Sequence, residues 1–171
     1  MNSKQKNCKE MLLSSIEKDD KYLTFYTDKQ LFGVPIAHVV QIVGMQKITV
    51  IPEAPYYSKG IINLRGAIIP VIDMRLRLSK LKAEYNERTC IIVTNINDFH
   101  MGIIVDSVDE VADIKYDVIS QLPQHLENGN DYITGVAKLP QKLVLLMDLN
   151  KIFGNEDFEM ITNITELKEQ K

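Results

Sequence analysis

Gly60-Ile61-Ile62-Asn63-Leu64-Arg65-Gly66-Ala67-Ile68-Ile69-Pro70-Val71-Ile72-Asp73-Met74 is two apolar runs broken by one turn. The isoleucines and valines on either side of the break are β-branched, and such side chains suit a pleated, half-buried surface better than a helix. Gly66 supplies the positive φ of a tight hairpin connection, and Asn63 is a common turn former. The stretch therefore predicts two short strands joined at Asn63 to Gly66. Only Arg65 and Asp73 carry charge within it, and an unpaired buried ion costs several kcal/mol. Arg65 must sit at an exposed turn or be paired.

Outward from this hairpin the chain reads as β throughout. Tyr22–Tyr26 and Leu31–Ile36 predict a second hairpin across Thr27-Asp28-Lys29-Gln30. Ala37 to Val43 places Val39 and Ile42 three apart, which predicts a helical turn. Ile48 to Ile51 is extended and is stopped by Pro52 and Pro55. Leu76 to Arg88 is charged and linker-like, and strand character resumes at Thr89–Val93. Residues 1–20 form a polar leader with Met11, Leu12, Leu13 and Ile16 at amphipathic spacing. The tail, 154–171, carries Phe158, Ile161, Ile164 and Leu167 at positions that could share one face of a terminal helix.

The second half echoes the first. Gly33 and Val39 correspond to Gly102 and Val108, Pro52 to Pro123, Gly60 to Gly135 and Asp73 to Asp148. This shared order predicts two related β units of about five strands each, and closure into small barrels removes their sheet edges. Arg65-Gly66 is replaced in the second unit by Pro140-Gln141, so the fold of a unit does not require the arginine. Two readings of Arg65 stay open: an interface anchor whose stem packs while its fork bonds, or an internal pair with Asp73 or Asp106.

Composition excludes several function classes. In 171 residues, 45% hydrophobic and 25% charged, the net charge of -3 leaves no basic stripe for nucleic acid. The densest basic cluster is Arg75, Arg77, Lys80 and Lys82. There is no apolar run long enough to insert in a membrane, and Met1 to Glu10 lacks a signal-peptide core, so a cytoplasmic protein is expected. Cys8 and Cys90 make neither a disulfide framework nor a metal-ligand spacing, and Cys90 reads as a small core residue. His38, His100 and His125 are scattered. Asp73, Asp106 and Asp148 close apolar strands, where aspartates usually accept from neighbouring backbone N–H groups. No nucleophile comes with a base, and no phosphate or dinucleotide loop is present. No enzyme, cofactor or metal is expected.

Phe32-Gly33-Val34-Pro35-Ile36, Val39, Ile51-Pro52, Gly60–Gly66 and Pro70-Val71-Ile72-Asp73 together resemble the CheW family of bacterial chemotaxis coupling proteins. Gly102–Asp106 with Val108, Ile133-Thr134-Gly135 and Leu145–Leu149 continue the resemblance, which spans Lys21 to Phe153. It implies two intertwined five-stranded, SH3-like barrels in one domain over 21–153. It also implies a non-enzymatic scaffold between the cytoplasmic tip of methyl-accepting chemoreceptors and the regulatory domain of the chemotaxis histidine kinase, recruited to membrane-associated arrays. The family's receptor-facing positions fall on Ile36, Val39, Gln41, Gly60 and Arg65, with Val108 on the matching second-unit segment. Gln41 stands where many members carry Glu, so a charged receptor contact is replaced by a neutral one. Met45, Ile48 and Val50 are the expected kinase-facing residues. The rival reading is a small-ligand sensor using the cleft between two barrels.

Overall fold

Short apolar runs rich in β-branched residues, separated by tight turns, build the chain from hairpins. A computed structural model describes residues 20–123, 131–153 and Glu159. Its strands are β1 (Lys21–Thr27), β2 (Gln30–Pro35), β3 (Val39–Gly44), β4 (Ser58–Leu64), β5 (Ala67–Asp73), β6 (Cys90–Ile96), β7 (Phe99–Val105), β8 (Ser107–Asp113), β9 (Ile119–Ser120), β10 (Ile133–Leu139) and β11 (Lys142–Met147). One-turn helices α1 (Met74–Arg77) and α2 (Leu149–Ile152) follow β5 and β11. The leader before Asp20 and, apart from Glu159, the tail lie outside the described residues.

The strands form two sheets, ordered β3-β6-β7-β5-β4 and β8-β1-β2-β11-β10-β9. The first curls until the chain after β3 returns to β4, where Thr49 and Ile61 exchange backbone hydrogen bonds of 2.8 and 2.9 Å. In the second, β9 follows β8 through a 3-10 turn and pairs with β10, the equivalent closure. Each barrel borrows a hairpin from the other half of the chain. β6–β7 completes the first barrel through the parallel pair β5–β7, and β1–β2 completes the second through the parallel pair β2–β11.

The pseudo-equivalent Gly33 and Gly102 lie at these parallel crossings. A Cβ on Gly33 would stand 3.0 Å from Val144 Cγ1, and one on Gly102 2.9 Å from Ile91 Cγ2. Glycine lets the borrowed hairpin approach. Ile62, Ile69, Val71, Ile91, Val93 and Ile104 fill the first barrel, and Leu31, Ala112, Ile114, Ala137, Val144 and Leu146 the second. A third and larger cluster joins them, with Phe25, Phe32 and Val34 from one sheet meeting Ile72, Ile92 and Ile103 from the other. Burying each such side chain contributes roughly 1.5–3 kcal/mol, so this shared cluster holds the two barrels together.

Two expectations are corrected. Ala37–Val43 is not a helical turn: a 3-10 turn covers Ile36–His38 and β3 begins at Val39. Four β-branched residues in five positions make extended backbone the better choice there. Val39 turns inward while Ile42 is 45% exposed, so the pair does not share a face. Leu76–Arg88 is more than a linker, since it completes α1 and then straps back across the molecule, with the Tyr85 hydroxyl donating to Asp73 Oδ2 at 2.7 Å.

Candidate functional site

Leu64 pairs with Ala67, which leaves Arg65 and Gly66 as a two-residue hairpin loop. Both have positive φ, +54° and +88°, the type I′ geometry that matches strand twist. The Asn63 side-chain oxygen accepts the Gly66 N–H at 2.9 Å and holds the turn. Arg65 is exposed, and among the described residues it makes no hydrogen bond or ion pair. Its two expected internal partners are occupied. Asp73 accepts from Arg75 N–H (2.9 Å) and from Tyr85, and Asp106 takes the Arg75 guanidinium. At the equivalent turn, Pro140-Gln141, neither residue has positive φ.

Ile36, Val39 and Val108 are half-buried and pack on the cluster between the barrels. Val39 and Val108 occupy matching places, each at an edge-strand bulge. The β3–β6 register slips between Val39 and Gln41, and the β8–β1 register slips after Val108. The β8 bulge is pinned by Thr24, whose hydroxyl donates to Glu110 O at 2.8 Å and accepts the Glu110 N–H at 3.1 Å. Lys142 then bonds both Asp109 and Glu110 at 2.7 Å, which pushes its pKa up to about 12. In the β3 bulge the position of Thr24 is held by Val93, and exposed Val40 and Ile42 flank half-buried Gln41.

The remaining nominated residues divide. Gly60 is buried with φ +130°, and a Cβ there would lie 2.0 Å from Thr49 O, so it closes the first barrel and offers no side chain. Met45 and Ile48 pack inward on the first-barrel core, and only Val50, 76% exposed, faces solvent. Arg65 lies at the tip of the β4–β5 hairpin of the first barrel, whereas Ile36, Val39 and Val108 pack on the cluster between the barrels.

Sequence reasoning gave no role to Arg75, Arg77 and Lys80, noted only as a basic cluster. Arg75 Nε and Nη2 donate to Asp106 Oδ1 and Oδ2 at 2.8 and 2.6 Å, and Nη1 lies 3.4 Å from Asp28. Asp28 N–H donates to Asp106 at 2.8 Å, and Lys80 Nζ is 3.5 Å from Asp28. The Asp106 bonds raise the Arg75 pKa further. Arg77 Nε donates to Ile152 O at 2.6 Å, and its guanidinium lies over the Tyr57 ring. Burial, with the bond to Asp73, raises the Tyr85 pKa, and burial raises those of Cys90 and Tyr132.

The strand-end aspartates do not converge. Asp73 and Asp148 cap α1 and α2, accepting from Arg75 and Asn150 N–H groups, each at 2.9 Å. A cavity of about 300 Å³ is lined by Leu78 and Lys80 after α1 and by Phe32, Tyr132, Ile133 and Leu145 of the second barrel.

The CheW-like domain model matches residues 21–157. The chain is 30% identical over 145 residues to a chemotaxis protein CheW of Klebsiella aerogenes, covering 84% of this chain and 87% of that one. It is 29% identical over 146 residues to the chemotaxis protein CheW of Bacillus subtilis, covering 85% and 94%. The crystal structure of the scaffolding protein TtCheW from Thermoanaerobacter tengcongensis superposes with a TM-score of 0.75 at 34% identity, covering 81% of this chain and 95% of that one. With paired, hairpin-exchanged barrels and a family match over most of its length, the chain belongs to the CheW-like family.

Proposed function

We propose that this protein is a non-enzymatic coupler that holds the cytoplasmic tip of a chemoreceptor and the regulatory domain of a chemotaxis histidine kinase in one assembly. The observation that carries this reading is Arg65: a cation kept in left-handed backbone, exposed, with no internal partner among the described residues. An exposed arginine is a frequent interface anchor, since its stem packs while its planar fork bonds. A receptor tip is a helical hairpin, so apolar side chains at the barrel junction supply contact area and Arg65 supplies orientation. Ile36, Val39 and Val108 form the apolar part, with Gln41 contributing a neutral hydrogen bond. Val50 is the solvent-facing member of the proposed kinase contact, backed by Met45 and Ile48. Two modest interfaces give weak pairwise binding that lasts through multivalency in membrane-associated arrays, with the protein itself in the cytoplasm.

The test is binding of the purified protein to the kinase regulatory domain and to a receptor-tip fragment, repeated with Arg65→Glu. The expected result is binding to both partners by the parent and loss of the receptor contact alone in the variant. Absence of binding to either partner would remove the reading. The cavity of about 300 Å³ lies at the lower size limit of small-molecule sites and keeps a ligand-sensing alternative in play. Saturable thermal stabilisation by a small molecule, abolished by filling the cavity with Leu145→Phe, would establish it.

A further inference from the structure

Helices α1 and α2 are equivalent pieces of the two units. Asp73 N–H donates to Tyr57 O at 2.9 Å and Asp148 N–H to Tyr132 O at 2.8 Å, and each aspartate then caps its helix. Met74 and Leu149 are correspondingly buried. On that alignment Arg75 is matched by Asn150 and Arg77 by buried Ile152, so neither arginine is needed to make the helix. Both reach into the other barrel. Arg77 bonds the carbonyl at the end of α2, and Arg75 holds Asp106 and approaches Asp28 in the β1–β2 turn.

Asp106 is itself the crossover. β7 ends in the first barrel at Val105 and β8 starts in the second at Ser107, so one residue carries the chain between them. Its N–H donates to Tyr26 O at 3.0 Å, and its carboxylate is gripped by two guanidinium nitrogens of Arg75 and the Asp28 N–H. A bidentate Arg–carboxylate pair fixes direction as well as distance. Val108 follows two residues later, packed on the same cluster as Ile36 and Val39.

We infer that Arg75, assisted by Arg77, is a positioning residue for the interface: clamping the crossover at Asp106 sets the angle between the barrels and thereby the spacing of Val108 from Ile36 and Val39. The clamp stands on geometry alone, whereas its effect on receptor binding rests on the coupling function proposed above.

The test measures the angle without any partner. In the full-length chain with Cys8→Ser and Cys90→Ala, spin labels at Lys47→Cys and Lys138→Cys report the inter-barrel distance by pulsed electron resonance. Arg75→Met is expected to widen the distance distribution at least about twofold while unfolding stays cooperative, and Arg65→Glu to leave it at the parent width. Receptor-tip affinity in Arg75→Met is expected to fall roughly tenfold, within the usual range of coupling between sites. A parent-like width in Arg75→Met overturns the clamp. Should that variant fail to fold, Arg75→Lys decides, since it keeps the charge and loses the two-pronged grip on Asp106: a widened distribution supports the clamp and an unchanged one overturns it. If the parent binds no receptor tip, the coupling function fails while the distance measurement still rules on the clamp.

Discussion

At the residue scale, Arg65 is an exposed cation at the tip of the β4–β5 hairpin, in left-handed backbone. The mismatch of Arg65-Gly66 with Pro140-Gln141 marks the arginine from sequence alone, because comparison within one chain separates what the unit needs from what it carries. That the arginine is itself left-handed was hidden, since Gly66 already accounted for the turn. Left-handed backbone costs roughly 1–2 kcal/mol for a residue with a Cβ, offset in part by the extra unfolded freedom of glycine. Arg65→Gly should raise stability by about 0.5–1 kcal/mol in urea unfolding while losing receptor binding. Gly60 shows the opposite case. Its repeat partner Gly135 suggested a shared structural need, but the reason, the Thr49 carbonyl in the place of a Cβ, exists only once the barrel closes. Gly60→Ala should destabilise by about 3 kcal/mol or more, read as a fall in urea midpoint.

At the element scale, hairpins were readable and edges were not. Apolar, β-branched runs and turn residues placed the β1–β2 and β4–β5 hairpins to within a residue or two. β3 was misread because Val39 and Ile42 are three apart, and a bulge between Val39 and Gln41 breaks the alternation that would have announced a strand. The equivalent bulge in β8 depends on a hydroxyl that no pattern signals. Thr24 is fully buried and satisfies both backbone groups of Glu110, so Thr24→Val leaves them unpaired and should cost about 1–3 kcal/mol in unfolding free energy. The segment Leu76–Arg88 looked like linker because its anchors, Arg77 on Ile152 in the other unit and Tyr85 on Asp73 twelve residues back, follow no periodic pattern. Charge density was visible there, but the partners were not.

At the scale of the whole molecule, the doubled order of strand, glycine, proline and aspartate announced two barrels, and family resemblance supplied their intertwining. Among the described residues, five groups bind protons more tightly in the folded state: Arg75, Tyr85, Cys90, Tyr132 and Lys142. In the unfolded chain they release protons at their ordinary values, from 9.0 for the thiol upward, so above that pH the folded state holds more protons and stability falls. Thermal unfolding scans between pH 8 and 12 should show a falling melting temperature, with a shallower slope in Tyr85→Phe. The exchange of hairpins between halves also imposes an order on synthesis. β1–β2 leaves the ribosome first, yet Phe32 and Gly33 pair with Leu145 and Leu146 of β11, made more than a hundred residues later. At about 5–20 residues per second, the earliest hairpin waits several seconds or longer with its apolar face uncovered. The second barrel can therefore be sealed only after translation has passed β11, and nascent chains halted before it are natural clients for chaperones.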